Sequence, residues 1–166
     1  MPNILAKTSN ISPLADIEES VRGSTLSIGE NSVIDSFVKI KFTGGKGDIA
    51  IGDLCYINSG CVLYSGNGIN IGHKVSIAAS CVFAPVNHAY MNHDIPIIEQ
   101  GFLPSKGGII IEDDVWIGAG CVILDGAIIR KGAVIAAMSL VRGEIRAHSV
   151  YAGNPIKFIK NREMNE

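Results

Sequence analysis

Long apolar runs, excess charge of either sign and aromatic rings are all scarce in this sequence, and each scarcity argues against a class of protein. No stretch reaches the roughly 18 apolar residues of a membrane-spanning helix, and the opening MPNILAKTSN lacks the apolar core of a signal peptide. A cytoplasmic protein without a transmembrane segment is expected. The 14 basic and 16 acidic residues leave a net charge of −2, too small a field to hold a polyanion, so no nucleic-acid partner is expected. Charged residues are 18% against 47% apolar ones, which argues against a disordered chain or a long solvated helix. The four cysteines contain no CxxC pair, so their spacing does not suggest a zinc or dithiol motif. Aromatics are 6%, with a single tryptophan. What is plentiful is Ile and Val, 38 together, and Gly, 19, a composition of short β-strands joined by tight corners. At 166 residues the chain is long enough to bury a core as one domain, 1–166.

The apolar residues recur at a period of six. Ile28, Ile34 and Ile40 begin the series; after resets it continues through Ile51, Ile57 and Leu63, then Ile71, Ile77 and Phe83. Ile111, Ile117, Ile123, Ile129, Ile135 and Val141 then keep the spacing unbroken. All fifteen positions are apolar and twelve are Ile, more than an apolar content near one half produces by chance. Four places after most anchors stands a small residue, such as Ser32, Cys55, Cys61, Cys81, Cys121, Ala133 or Ser139, and the second position is often Gly (29, 52, 72, 118). A helix cannot keep a six-residue stripe on one face, whereas a short strand plus a corner can, with anchor and small residue both pointing inward. Three such faces close a coil of about 18 residues, and coils stack with each strand parallel to its equivalent above. The fold class predicted is all-β, a parallel β-solenoid of six coils, counting a weaker opening coil at about 11–27 with Ile11, Ala15, Ile17 and Val21 inward. The spacing leaves its handedness open.

Two segments break the period. The stretch at about 86–108 is too long for a mere connection and is expected to project as a functional loop. After His148 the repeat fades, and Asn154-Pro155 followed by IKFIKNRE reads as an N-cap and first-turn proline opening a short basic C-terminal helix, within a tail at about 152–163.

Few residues are left to carry chemistry. The cysteines fall on the small inward position, where a reduced thiol behaves as a small apolar group. Of the four histidines, His93 lies well out in the loop, whereas His88 follows directly on the Phe83 anchor, close to the rigid column where geometry can be fixed. Trp116 precedes an anchor and so faces outward, for a partner chain or a flat ligand.

PVNH, DDVWIGAGC and YAGNPIKFIK, in that order on this repeat, resemble the hexapeptide-repeat acyltransferases over roughly residues 11 to 162. The branch they are most similar to holds galactoside, maltose and xenobiotic acetyltransferases and polysaccharide O-acetyltransferases. The resemblance implies a left-handed parallel β-helix, a homotrimer with active sites between chains, and acetyl-CoA as co-substrate with no metal required. It implies His88 as the catalytic base: an imidazole with a pKa near neutrality can take the acceptor's proton and return it to the departing thiolate. Trp116, Ala136, Ser139, Ala152, Gly153, Pro155 and Lys157 match the coenzyme-binding positions, and Asn58 and Asn87 the acceptor-binding ones. Related enzymes often carry an acid directly after the base; Ala89 stands there, so a backbone carbonyl or Glu99 is expected to orient the imidazole.

The expected activity is acetyl-CoA-dependent O-acetylation of a sugar or surface-polysaccharide precursor. Three alternatives stay open. One is an N-acetyltransferase on an amino sugar. Another is a carbonic-anhydrase-like zinc enzyme using His73, His88 and His93, although the 15 residues between His73 and His88 do not fit ligands on equivalent faces of adjacent coils. The third is a non-catalytic scaffold.

Overall fold

The computed structural model describes residues 3–162. Among these residues twenty-one strands, most of two or three residues, form three sheets that run the length of a three-sided column. Face A stacks Ile4–Leu5, Leu26–Ile28, Ile49–Ile51, Ile69–Ile71, Ile109–Ile111, Ala127–Ile129 and Glu144–Ile145. Face B stacks Asn10–Ile11, Val33–Ile34, Tyr56–Ile57, Ser76–Ile77, Trp116–Ile117, Val134–Ile135 and Ser149–Ala152. Face C stacks Asp16–Ile17, Lys39–Lys41, Val62–Tyr64, Val82–Ala84, Val122–Leu124 and Leu140–Val141. Within these stacks every pairing is parallel and in register, so anchors stand on anchors: Ile57, Ile77, Ile117 and Ile135 form one inward column. All fifteen anchors are buried, as are the small residues four places on.

The corners explain why six residues suffice. On the A–B and B–C edges the residue three places after each anchor takes a left-handed backbone: Asn31, Leu54, Lys74, Asp114, Gly132 and His148 on one edge, Phe37, Gly60, Ser80, Gly120 and Met138 on the other. One left-handed residue turns the chain about a corner and returns it to strand geometry. Only three of these eleven positions hold glycine. The glycines directly after anchors answer a different need, the close stacking of corners. A Cβ on Gly118 would lie 2.5 Å from the backbone nitrogen of Ala137, a clash that no side-chain rotation relieves. Gly118→Ala is therefore expected to cost about 1–3 kcal/mol of unfolding free energy, measurable by urea denaturation.

The four cysteines are reduced and buried. Each thiol donates to a carbonyl of the next coil, at 3.0 Å from Cys55 to Gly72, and at 3.2 Å from Cys61 to Ala78, Cys81 to Gly118 and Cys121 to Ala136. Burial pushes the Cys55 thiol up, which keeps it protonated and unreactive.

Three expectations are corrected. The opening coil starts at Ile4, before the predicted 11–27, and Val21 is 94% exposed instead of inward; Ile11, Ala15 and Ile17 pack against the core as expected. The repeat does not end at Val141: Ile145 and Tyr151 are further buried anchors of a partial seventh coil, displaced because Arg142-Gly143 shortens one step to four residues. The C-terminal helix is instead a strand, Lys157–Asn161, antiparallel to Ser149–Ala152; Glu163, the last residue of the predicted tail, lies outside the described residues. The exposed edge of the last coil supplies a ladder that a helix would leave unpaired. Phe158 adds an edge-on contact with Tyr151, ring centroids 5.5 Å apart, and a face for the Arg146 guanidinium. Among the described residues the helical content is one 3₁₀ turn, Ile97–Glu99, and no helix is long and apolar enough to cross a membrane.

Candidate functional site

The expected site residues fall into two groups on different edges. The first is at the C–A edge, where the chain leaves the column after Val82–Ala84 and returns at Gly108. The loop root is closed like a hairpin: the Leu103 N–H donates to the Asn87 carbonyl at 2.8 Å and the Ala89 N–H to the Gly101 carbonyl at 3.0 Å. This places Asn87 and His88 at a fixed height above the column. Farther out, the Gln100 amide donates to the carbonyls of Asn92 and Ile95 and accepts the Asn92 N–H, which folds the loop on itself. His88 is exposed, and among the described residues its ring nitrogens bond to neither Glu99 nor a backbone carbonyl, contrary to expectation. Phe102, directly across the root, holds the imidazole instead, centroids 4.7 Å apart at 48°.

A cleft of about 370 Å³ opens beside the imidazole, lined by Asn87, His88, Tyr90, Leu103, Lys106, Leu124, Asp125 and Arg142. Asp125 ties its floor to the returning loop. It is 6% exposed and accepts the N–H of Gly108 at 2.9 Å, the N–H of Lys106 at 2.8 Å and the Asn67 amide at 3.2 Å. A buried carboxylate holding three donors fixes a loop firmly. The sequence offered a signal that was missed: Asp125 stands two places after an anchor, where the equivalents Phe42, Ser65 and Pro85 are buried. Arg142 and Lys106 carried no such signal.

The second group lines the B–C edge at the C-terminal end. Ala136 and Ala152 sit one above the other directly after the in-register pair Ile135 and Tyr151, with Gly118 below. Ser139 is buried and its hydroxyl fully used, donating to the Ala136 carbonyl at 2.7 Å and accepting the Gly153 N–H at 2.9 Å, so it shapes this edge from within. Gly153 turns the chain, with φ +100°, into Pro155 and the exposed Lys157, which pairs with Ala152. Ala119 and Ala137 are exposed, and among the described residues their backbone N–H groups donate to no other group, which leaves an edge of small side chains with unpaired amides suited to an extended amide-bearing ligand. Trp116, 54% exposed, stands outward on the face that ends at this edge. Asn58 lies on the same edge several coils lower, its amide donating to the Ile77 carbonyl at 2.7 Å, as a corner-stacking residue does.

In a three-sided column the C–A edge faces away from face B, so one chain does not bring His88 together with Trp116, Asn58 or the small-residue edge. Nor does it assemble a histidine triad: His73 is on the A–B edge, where its Nδ1 accepts the Asp53 N–H at 3.0 Å. Among the described residues no three His, Cys, Asp or Glu side chains converge as metal ligands. Two shallow hollows of about 310 and 350 Å³ on face A hold none of the expected residues.

Residues 108–143 match the family of the bacterial transferase hexapeptide (six repeats). The chain is 40% identical to a probable macrolide acetyltransferase of Lysinibacillus sphaericus over 126 residues, 76% of this chain and 66% of the relative. It is 31% identical to the putative lipopolysaccharide biosynthesis O-acetyl transferase WbbJ of Escherichia coli over 121 residues, 70% of this chain and 62% of the relative. The matches thus span less than two thirds of these curated relatives. Among solved structures, the S84A mutant of the N-acyltransferase AntD of Bacillus cereus, in complex with dTDP-4-amino-4,6-dideoxyglucose and coenzyme A, superposes with a TM-score of 0.79 at 28% identity, covering 98% of this chain and 84% of that one. The repeat, the three stacked faces and these relatives agree: the chain resembles the hexapeptide-repeat transferases, whose repeat matches residues 108–143, and its fold is a left-handed parallel β-helix.

Proposed function

We propose that the protein is an acetyl-CoA-dependent acetyltransferase that acetylates a hydroxyl of a sugar-class acceptor by direct transfer, with His88 as general base. The observation that carries this reading is the His88 cleft: an exposed imidazole, fixed by a backbone-paired root and by Phe102, beside a cavity of about 370 Å³. Tyr90, Leu103 and Leu124 give it an apolar wall for the ring face of a sugar, and Asn87 gives it a hydrogen-bonding group. His88 takes the proton of the acceptor hydroxyl as its oxygen bonds to the thioester carbonyl carbon, then gives that proton to the sulfur as the C–S bond breaks. No covalent enzyme intermediate is needed. Backbone N–H groups near the cleft mouth would stabilise the oxyanion.

The B–C edge, with Ala136, Ala152 and Gly153 presenting little side-chain bulk and Lys157 beyond them, would hold the coenzyme, and Trp116 would flank it. Because that edge and His88 lie apart on one chain, the complete site would form between neighbouring copies, in a homotrimer. A structural neighbour, the N-acyltransferase AntD in complex with dTDP-4-amino-4,6-dideoxyglucose, supports a second reading in which the acceptor atom is nitrogen. The test is thiol release from acetyl-CoA across hexoses, amino sugars and nucleotide-sugars. Release with a hydroxyl-only sugar supports O-acetylation, release confined to amino sugars supports the second reading, and no release with any acceptor overturns both.

A further inference from the structure

Lys106 and Arg142 stand together in the His88 cleft, and among the described residues neither forms an ion pair. Three of the other four arginines are engaged: Arg130 bridges Glu112 and Glu144, Arg162 reaches Asp114, and Arg146 lies over Phe158. The one acid lining the cleft is Asp125, and its oxygens are taken by the Gly108 and Lys106 N–H groups and the Asn67 amide. Two cations therefore face one carboxylate that already holds three donors, a local positive surplus in a chain of net charge −2. Lys106 is also held in place. Its stem lies over Gly126, where a Cβ would come within 2.8 Å of the Lys106 Cβ.

The ligand that would use this surplus is identified by chemistry. In acetyl-CoA the pantetheine arm separates the thioester from the phosphates, so with the thioester at His88 the coenzyme's anionic groups lie well away. A cation beside the proton-accepting imidazole then faces the other substrate. We propose, resting on the reading of His88 as the base, that the acceptor is an anionic sugar derivative whose phosphate or carboxylate is held by Arg142 and Lys106. The guanidinium fork of Arg142 suits either group, since both present two oxygens for paired N–H donors. Held so, the acceptor presents a neighbouring hydroxyl to His88.

The test is calorimetric titration of the full chain in its native assembly with glucose, glucose 1-phosphate and glucuronate, at low and at high NaCl. At least one anion is expected to bind about 10-fold or more tightly than glucose, with the advantage shrinking as salt screens the charges. Preference for glucose 1-phosphate identifies phosphate as the ligand group, and preference for glucuronate identifies carboxylate. Arg142→Gln is expected to remove most of the advantage and Lys106→Gln part of it; both side chains are exposed, so the fold does not depend on them. The proposal is overturned if neither anion outcompetes glucose, including the case where none of the three binds, or if the advantage survives in the double variant. Acetyl-CoA titrated into the same proteins separates the two levels of inference. Failure of the wild-type protein to bind it sinks the acetyltransferase reading, while normal binding without an anion preference sinks this proposal alone.

Discussion

His88→Ala is expected to lower the rate of acetyl transfer by about 100-fold or more, the scale of lost general-base catalysis, equivalent to about 2.7 kcal/mol of transition-state stabilisation. The fold should be unaffected. The imidazole is exposed, and the loop root is held by backbone pairs from Asn87 and Ala89 and by Asp125, none of which uses the His88 side chain. The loss should therefore fall on kcat, with acetyl-CoA affinity retained, and a near-normal rate would remove His88 from the mechanism. A second measurement reads where the site is built. With Trp116 and His88 on different sides of the column, a site between copies draws one residue from each of two chains. Trp116→Ala should slow the enzyme at low acetyl-CoA by weakening coenzyme binding. Mixing the two variants under conditions that exchange subunits should then restore about a quarter of the wild-type rate, because random assembly unites an intact histidine with an intact tryptophan at one interface in four. Recovery near zero would place both residues of each site in one chain or remove one of them from the site.

The column itself was legible because one physical requirement repeats: each face must bury its anchor, and the anchors are Ile at nearly every turn. The corners were legible only in part. On the A–B and B–C edges left-handed backbone falls three places after the anchor, yet Phe37, Leu54 and Lys74 occupy such positions without any turn signature. There the stacked coils impose a conformation that the local sequence does not favour. Glycines 52, 72 and 118 were visible, but their reason is the nearness of the next corner, a tertiary fact. The seventh coil was hidden by a single four-residue step at Arg142-Gly143. The C-terminal strand was hidden because IKFIKN has no partner until Ser149–Ala152 offers an edge. The catalytic candidate His88 was found from its proximity to Phe83 and from the family resemblance. Lys106 and Arg142 were not, because they join the cleft from separate segments and no short pattern links them, and Asp125 was marked only by the buried position it shares with Phe42, Ser65 and Pro85.

The second large effect is expected in the core: Phe83→Ala should lower the unfolding free energy by about 3–5 kcal/mol. Phe83 is fully buried and stands in register between Leu63 and Ile123, so its ring fills the column where the coils below and above meet the loop-bearing strand. Truncation removes apolar burial and leaves a cavity whose walls are short strands locked by ladders on both sides, which limits collapse. Against a total of about 5–15 kcal/mol for a domain, such a loss brings the protein close to its threshold at 37 °C. Phe83→Leu, which keeps most of the volume, should cost less than about 2 kcal/mol. Chemical denaturation of the three proteins reads both values. In a solenoid each coil is stabilised through its neighbours, so the damage should weaken the interfaces on either side of this coil together. The loop root begins two residues after Phe83, at Pro85, and the cleft spans three coils from this one upward. Acetyl transfer in Phe83→Ala should accordingly fail at a lower temperature than in the wild type while remaining near normal at 10 °C, where the column is still closed. A variant that is as stable as the wild type would mean that the ring does not occupy the core, and with it the placement of His88 above that coil would fall.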